Sequence, residues 1–525
     1  MRIVKMFWAL IFLFPFLNGF AQMRVELDLK GSSDYFVIVP AGEQGLLICG
    51  TSDSLVRNAS SFDVMKYDTN MRSVWTKTIV SGQNQILKNH FYDETTGRLY
   101  LLMTSQKNSF CKGGFNVFEM DVSSGQTRML SGTFPNRVLV RSFIETGGRV
   151  YIGGLVLPLA IDAYLKQAYT MTLLYIPAIF GSMRFKTEAF IINAYFNTMQ
   201  TERLPFSFKG SSGVYDISGN TETDTIDVFT VCKTRNSVSF SIYHINNDNN
   251  TSNISRLNID EKFDITSGKL LRLKLHKKII IGTYNKRPKR YKESYFETDR
   301  LASVTSTGLY YAETVGDSLS YMNFYPFSRF SNFYSYLTFR GQNRIKKKNL
   351  RRQSRGKDID SRYSLLIHDL INYKNGYIMI AEAYYPEYET HCQTMYYGNG
   401  STSQQCYTVF VGYRFTHAII AGFDTSGVLQ WDNSFEMMDV LTFDLKPKVK
   451  YIVEGDELVL VYFYGGELKT KVITGDKVLE AKSHLPLDTG MKGDKVKDDT
   501  GNGIEYWYNN YFIAYGYQKI KNKSK

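Results

Sequence analysis

Long apolar runs are missing from this chain. Beyond its N-terminus no stretch of 18 or more apolar residues occurs, so no internal membrane-spanning helix is expected. Histidine is scarce as well: seven residues, at 90, 244, 276, 368, 391, 417 and 484, each alone. No His-x-His, His-Glu-x-x-His or His-x-x-Glu-His spacing occurs, which removes the common metalloenzyme signatures. Neither a Gly-x-Ser-x-Gly nucleophile elbow nor a Gly-x-x-x-x-Gly-Lys-Ser/Thr phosphate loop is present. The five cysteines hold no pair of Cys-x-x-Cys knuckles, so a zinc finger is excluded. Proline is rare too, at 11 of 525 residues. Aromatic residues, in contrast, make up 15% and hydrophobic residues 43%, which excludes intrinsic disorder because there is ample apolar surface to bury.

The N-terminus reads as an address. Arg2 and Lys5 precede an apolar stretch, Phe7 to Leu17, followed by small residues at the −3 and −1 positions of a cut after Ala21. That is the grammar of a secretory signal peptide, too short to span a bilayer as an anchor, so residues 1–21 are expected to be removed and 22–525 exported. No Cys follows the cut to carry a lipid anchor. The ending Gly19-Phe20-Ala21-Gln22 resembles signal peptides common in Bacteroidota. The expected location is therefore periplasmic, extracellular or outer-membrane associated. Export permits disulfides. Cys49 and Cys232 sit in apolar strand-like runs, whereas Cys392 and Cys406 bracket a polar, Gly-rich tip, and a bridge between those two is expected.

Strand signals dominate. A Gly or Asp turn followed by a β-branched and aromatic run recurs at Gly45, Gly97, Gly148, Gly308, Gly376 and Asp456. The first three instances lie 52 and 51 residues apart, near the period of ~50 residues of a kelch-size propeller blade. A second pattern is Tyr67-Asp68-Thr69 followed by Trp75, which aligns with Phe423-Asp424-Thr425 followed by Gly427 and Trp431; Met120-Asp121 to Gln126 is a looser copy. Here the Asp is expected to cap a turn in which Asn or Gly takes positive φ, while the Trp returns on the next strand to pack between sheets. The motif resembles the aromatic-Asp-x-x-Gly-x-x-x-Trp hairpin of quinoprotein-type and related β-propeller blades. The resemblance implies an all-β chain folded as a single β-propeller of six to eight blades with loop insertions. It does not bring a cofactor with it, because the adjacent Cys-Cys pair of quinone dehydrogenases is missing. Sialidase-type Asp-boxes do not match either, and no metal or other cofactor is expected.

Three segments break the rhythm. Residues 157–199 open with mild helical periodicity and hold no charge from Gln167 to Met183; a membrane- or partner-docking insertion and a buried helix and strand are both compatible with this. Residues 340–357 hold nine cations and no acid: Arg340, Arg344, Lys346, Lys347, Lys348, Arg351, Arg352, Arg355 and Lys357. Without apolar periodicity this segment is expected to be an exposed, mobile loop. Residues 390–407 form the bracketed tip. Lys286 to Lys292 adds five further cations. The two basic segments together outweigh the net charge of +13, so the rest of the chain is close to neutral. Export disfavours nucleic acid, which leaves phosphorylated headgroups, acidic glycans or an acidic protein as electrostatic partners. The aromatic stretch from Ser320 to Phe339 suits either inter-blade packing or glycan and protein contacts.

Together these features point to an exported, non-catalytic binding or scaffold protein of the cell envelope with a protein or glycan partner, an anionic surface included. The expected binding residues are Arg344, Lys346, Lys347, Lys348, Arg351, Arg352 and Arg355. Two alternatives stand: a carbohydrate-active enzyme with carboxylates at a channel mouth, and an accessory part of an envelope or secretion assembly.

Overall fold

The strands of this chain are apolar on both faces. Leu46, Leu47, Ile48 and Cys49 are consecutive and all buried, and so are Ile279 to Ile281, Leu309 to Ala312 and Leu458 to Phe463. A strand covered on both sides belongs to a sheet stacked between two others. The computed structural model meets that demand with a propeller-like ring of sheets, 72% strand against 6% helix, which makes the chain all-β. It describes residues 2–5, 21–24, 36–51, 60–107, 110–157, 187–204, 210–220, 224–234, 238–246, 251–260, 262–273, 277–286, 305–316, 318–355, 362–396, 402–443, 445–486 and 495–521.

The sheets are antiparallel meanders. Residues 36–81, 211–258, 263–326 and 450–486 each form a four-stranded sheet. An eight-stranded sheet over 85–203 is two meanders touching at one residue pair, Val138 opposite Cys111. A seven-stranded sheet is built around the strands Tyr363–Ile367, Gly376–Tyr396, Thr402–Asp424 and Leu429–Glu436. Four blades are distinguished in the ring, not the six to eight expected. Two meanders join at Val138 and Cys111, and one hairpin uses strands of 21 and 23 residues, so the ~50-residue period does not map one sheet to each repeat.

The turn signals occupy defined places. Gly45, Gly97, Gly148, Gly376 and Asp456 stand at the turn into the second strand of a meander, and Gly308 opens a third strand. The Asp68 carboxylate accepts from the backbone N–H groups of Asn70 (2.9 Å) and Arg72 (2.8 Å), and Asp424 does so from Ser426 and Val428 (both 2.9 Å). Gly427 takes φ 80°, but in the first copy the positive φ of 61° falls on Met71, not on Asn70. Trp75 lies against Gly125, and Trp431 covers Gly422 and abuts Gly475; Gly125 and Gly475 belong to the following meander. In both copies the ring therefore stacks one meander's last strand on the next meander's last turn.

Buried ion pairs stitch the sheets. The fully buried Asp227 carboxylate meets Lys278 Nζ at 2.7 Å, His244 Nδ1 at 3.0 Å and Arg272 at 3.5 Å. Lys269 bridges the buried Asp216 (3.3 Å) to Asp369 (2.8 Å), whose side chain is exposed, and so links three sheets. Removing one partner of such a pair leaves a buried charge uncompensated, at a cost of roughly 3–5 kcal/mol.

The two ends of the chain meet in one sheet, where Arg2–Lys5 pairs with Tyr511–Lys521 and Ala21–Arg24 lies beyond it. The strand expected to close the ring, residues 25–29, lies outside the described residues, as does 6–20 of the expected signal peptide. The C-terminal hairpin locks onto the first meander through Trp507. Its Nε1–H donates to Gly45 O at 2.7 Å, and its ring packs with Ile38, Leu46, Ile48 and Ile513. Trp507→Ala is expected to lose about 3–5 kcal/mol of stability, as large-to-small core changes do. Trp507→Phe, which removes the indole N–H and keeps most of the apolar contact, should lose less in a denaturant titration. Deleting 505–525 should abolish soluble expression.

Candidate anion-binding helix

The site is rooted in the aromatic segment. Phe327, Phe330 and Phe333 are buried; Phe327 stacks on Phe333 and meets Phe330 edge-on, and Phe333 meets Tyr363 edge-on. The Asp432 carboxylate accepts from the backbone N–H groups of Ser331 (2.7 Å) and Asn332 (2.6 Å). Tyr336 then lies flat on His417, with centroids 4.0 Å apart and planes 7° from parallel. His417 is fully buried, its Nδ1 is 2.9 Å from Thr416 Oγ1, and burial pushes its pKa down to about 3. These aromatics are interior packing. Phe339, at 77% exposure, is the departure from that pattern.

Two residues after Tyr336 the chain turns into an α-helix, Phe339–Gln353, whose N-cap Thr338 Oγ1 accepts from Gly341 N. The expected mobile loop is therefore corrected to a helix. Apolar periodicity is missing because this helix presents most of its circumference to solvent, and not because it is unstructured. Its Arg, Lys, Gln and Leu residues are intrinsically good helix formers.

Helical geometry brings the predicted cations together. At 100° per residue, Lys347, Arg340, Arg351, Arg344, Arg355, Lys348 and Arg352 fall in that order within an arc of about 140°, with Arg355 in the turn just past the helix end. Lys346 does not join them; it lies on the other side with Phe339 and Leu350. A shallow hollow runs along the cationic flank. Among the described residues, Arg340, Arg344, Lys346, Lys347, Lys348, Arg351 and Arg355 make no ion pair. Like charges at i,i+4, such as 340/344, 344/348 and 347/351, each oppose the helix by roughly 0.2–0.5 kcal/mol. An anion laid along the stripe would turn that repulsion into attraction. The second basic segment, 287–292, lies outside the described residues, and so do residues 158–186, which include the uncharged stretch Gln167 to Met183; Glu188–Tyr195 is an ordinary strand of its meander.

Beside the helix root stands a β-arm. The strands Gly376–Tyr396 and Thr402–Asp424 are buried in the ring up to Tyr384 and Phe415. Register shifts at Ala383/Tyr384 and Glu387/Tyr388 then bend them away. Past those shifts side chains on both faces are exposed, among them Tyr388, Met395, Tyr407 and Val409. Cys392 and Cys406 stand opposite each other and are disulfide-bonded. The sequence pattern showed only the outer part, 390–407, of this longer arm, and its tip at 397–401 lies outside the described residues.

One carboxyl away from the helix is also perturbed. Burial, with Asp93 and Glu119 nearby, raises the pKa of Glu145 to about 7 against the opposing N–H of Gly148 at 2.7 Å. Sequence reasoning missed it because its neighbours come from other strands.

No family model matches this chain, and no curated protein does. Solved structures similar to it include a mutant of the Synechocystis apocarotenoid oxygenase (6% identity, 59% of this chain and 69% of that one, TM-score 0.31). A prolyl endopeptidase shows 8% identity over 86% of this chain and 49% of that one, with TM-score 0.35. The cobalt-substituted Synechocystis oxygenase is similar at 7% identity over 55% and 60%, TM-score 0.31. At these values none of the similarities assigns an activity to the chain. Among the described residues no helix is long and apolar enough to cross a membrane.

Two buried groups set opposite pH limits. His417 titrates near 6.5 when unfolded and near 3 when folded, so its contribution is complete above pH ~6.5 and is lost as the pH falls. His417→Phe should flatten the acid limb of a Tm-against-pH profile. Glu145 binds its proton more tightly when folded, so stability falls as the pH rises from about 4.5 to 7. Glu145→Gln should remove that decline.

Proposed function

We propose that the chain is an exported, non-catalytic binding or scaffold protein of the cell envelope, which uses the helix Phe339–Gln353 to hold an anionic partner: a protein, a glycan or an anionic surface. On this reading residues 22–525 form one β-propeller domain with insertions, and 1–21 is the signal peptide. The observation that carries it is the arc of seven cations, six of which make no ion pair among the described residues. An anion bound along the arc would relieve the self-repulsion of these cations. The Cys392–Cys406 disulfide is compatible with an oxidising compartment.

The test is retention on a sulfated polyanion, heparin, as a function of salt. The full chain should bind at low salt and elute as salt screens the contacts. The triple variant Arg344→Gln, Lys348→Gln, Arg351→Gln should elute much earlier with an unchanged melting temperature. A wild-type protein that passes through at low salt would refute the proposal. Pull-down from envelope extracts with and without residues 340–357 then distinguishes a docked assembly component from a free binder.

A further inference from the structure

The arc of cations faces solvent on the same rim of the ring as the β-arm. In a meander the turn between strands two and three and the link from strand four to the next sheet lie at the same end. The helix is such a link, running from Ser318–Pro326 to Tyr363–Ile367. The arm is the strand-two-to-three hairpin of the sheet that the link enters. The two also share a foot: Tyr336, just before the helix, stacks on His417, which pairs with Ala383 where the arm leaves the ring.

Resting on the anion-binding reading above, we propose that this rim docks on an anionic phospholipid surface, with the helix on the phosphates and the arm entering the headgroup region. A soluble polyanion would need only the cations. It gives no role to the exposed Tyr388, Tyr407, Met395 and Val409 of the arm. Tyrosine, with an apolar ring and a polar tip, suits the boundary between headgroups and acyl chains. Phe339 and Leu350, exposed at 77% and 56% on the side of the helix away from the cationic stripe, give it the basic face and opposed apolar residues of an interfacial helix. Leu441–Thr442 pairs with the base of the arm at Tyr413 and Arg414, and Phe410 packs on Phe443. Farther out the arm is held by its own ladder and by the Cys392–Cys406 bridge, so its outer part can enter a lipid surface without disturbing the core. Its Glu387, the acid nearest the ring, is paired with Arg414.

The experiment is co-sedimentation of the full chain with vesicles of phosphatidylcholine alone or mixed equally with phosphatidylglycerol, at low and high salt. Binding to the mixed vesicles only, lost at high salt, is the expected result. The triple charge variant should bind them roughly a hundredfold more weakly, at about fivefold per cation. The arm variant Tyr388→Ser, Tyr407→Ser should bind the mixed vesicles roughly tenfold more weakly while its heparin elution stays unchanged. Met395→Ser, Val409→Ser serves as a second arm variant if the first loses its wild-type melting temperature. Heparin binding without vesicle binding overturns the membrane inference and leaves the anion-binding reading intact. Absence of both overturns both. Equal binding to the neutral vesicles, or arm variants that bind the mixed vesicles like the wild type, also overturns the inference.

Discussion

The ring depends on one constraint: inner-strand runs such as Leu46 to Cys49, Ile279 to Ile281 and Leu458 to Phe463 are apolar on both faces, so their sheets need a neighbour on each side. In a row of such sheets the first and last would each leave one apolar face in water, at roughly 25 cal/mol per Å². Closure removes both exposed faces at once. The contact that achieves it joins residues 462 positions apart, Trp507 and Gly45. The carbonyl that Trp507 reaches belongs to a glycine with φ 104°, where a Cβ would strike the Tyr67 carbonyl. The closing bond therefore depends on a residue that only glycine can supply.

Once the ring is closed, its spare length shows at one rim. Turns on the opposite rim are short and are capped by their own Asp side chains, as at Asp68, Asp121 and Asp424. The helix rim instead carries the long connections. There the aromatic segment 327–336 plugs the space over Tyr363 and His417 and sets the direction in which the cationic helix leaves. The perturbed His417 is thus a consequence of anchoring: the imidazole is kept neutral because it serves as a stacking surface. Charge, arm and anchor converge at this place because the chain is otherwise committed to packing.

Some of this was legible in the sequence. The Gly and Asp turns before strands, the Asp68 and Asp424 caps and the Cys392–Cys406 bridge are local. Each depends on residues within about a hairpin of one another, where spacing translates directly into geometry. The blade count was not legible, because how sheets meet in space, as at Val138 and Cys111, leaves no local sequence signal. The helix was misjudged for an instructive reason. Apolar periodicity reports burial, and a helix that buries little leaves no such trace, so a stable cationic helix reads as a loop.

By itself, then, the sequence determined an all-β chain built of tight hairpins, with its excess positive charge concentrated in two segments, and with one stapled excursion. Composition and short-range spacing suffice for that, since turns, caps and a cross-strand bridge are settled within a few residues. Only the tertiary structure decided that seven cations share one flank, that the flank and the arm rise from a common foot, and that Trp507 closes the ring. Those relations join residues from tens to hundreds of positions apart, or depend on a helical phase that no apolar pattern announced.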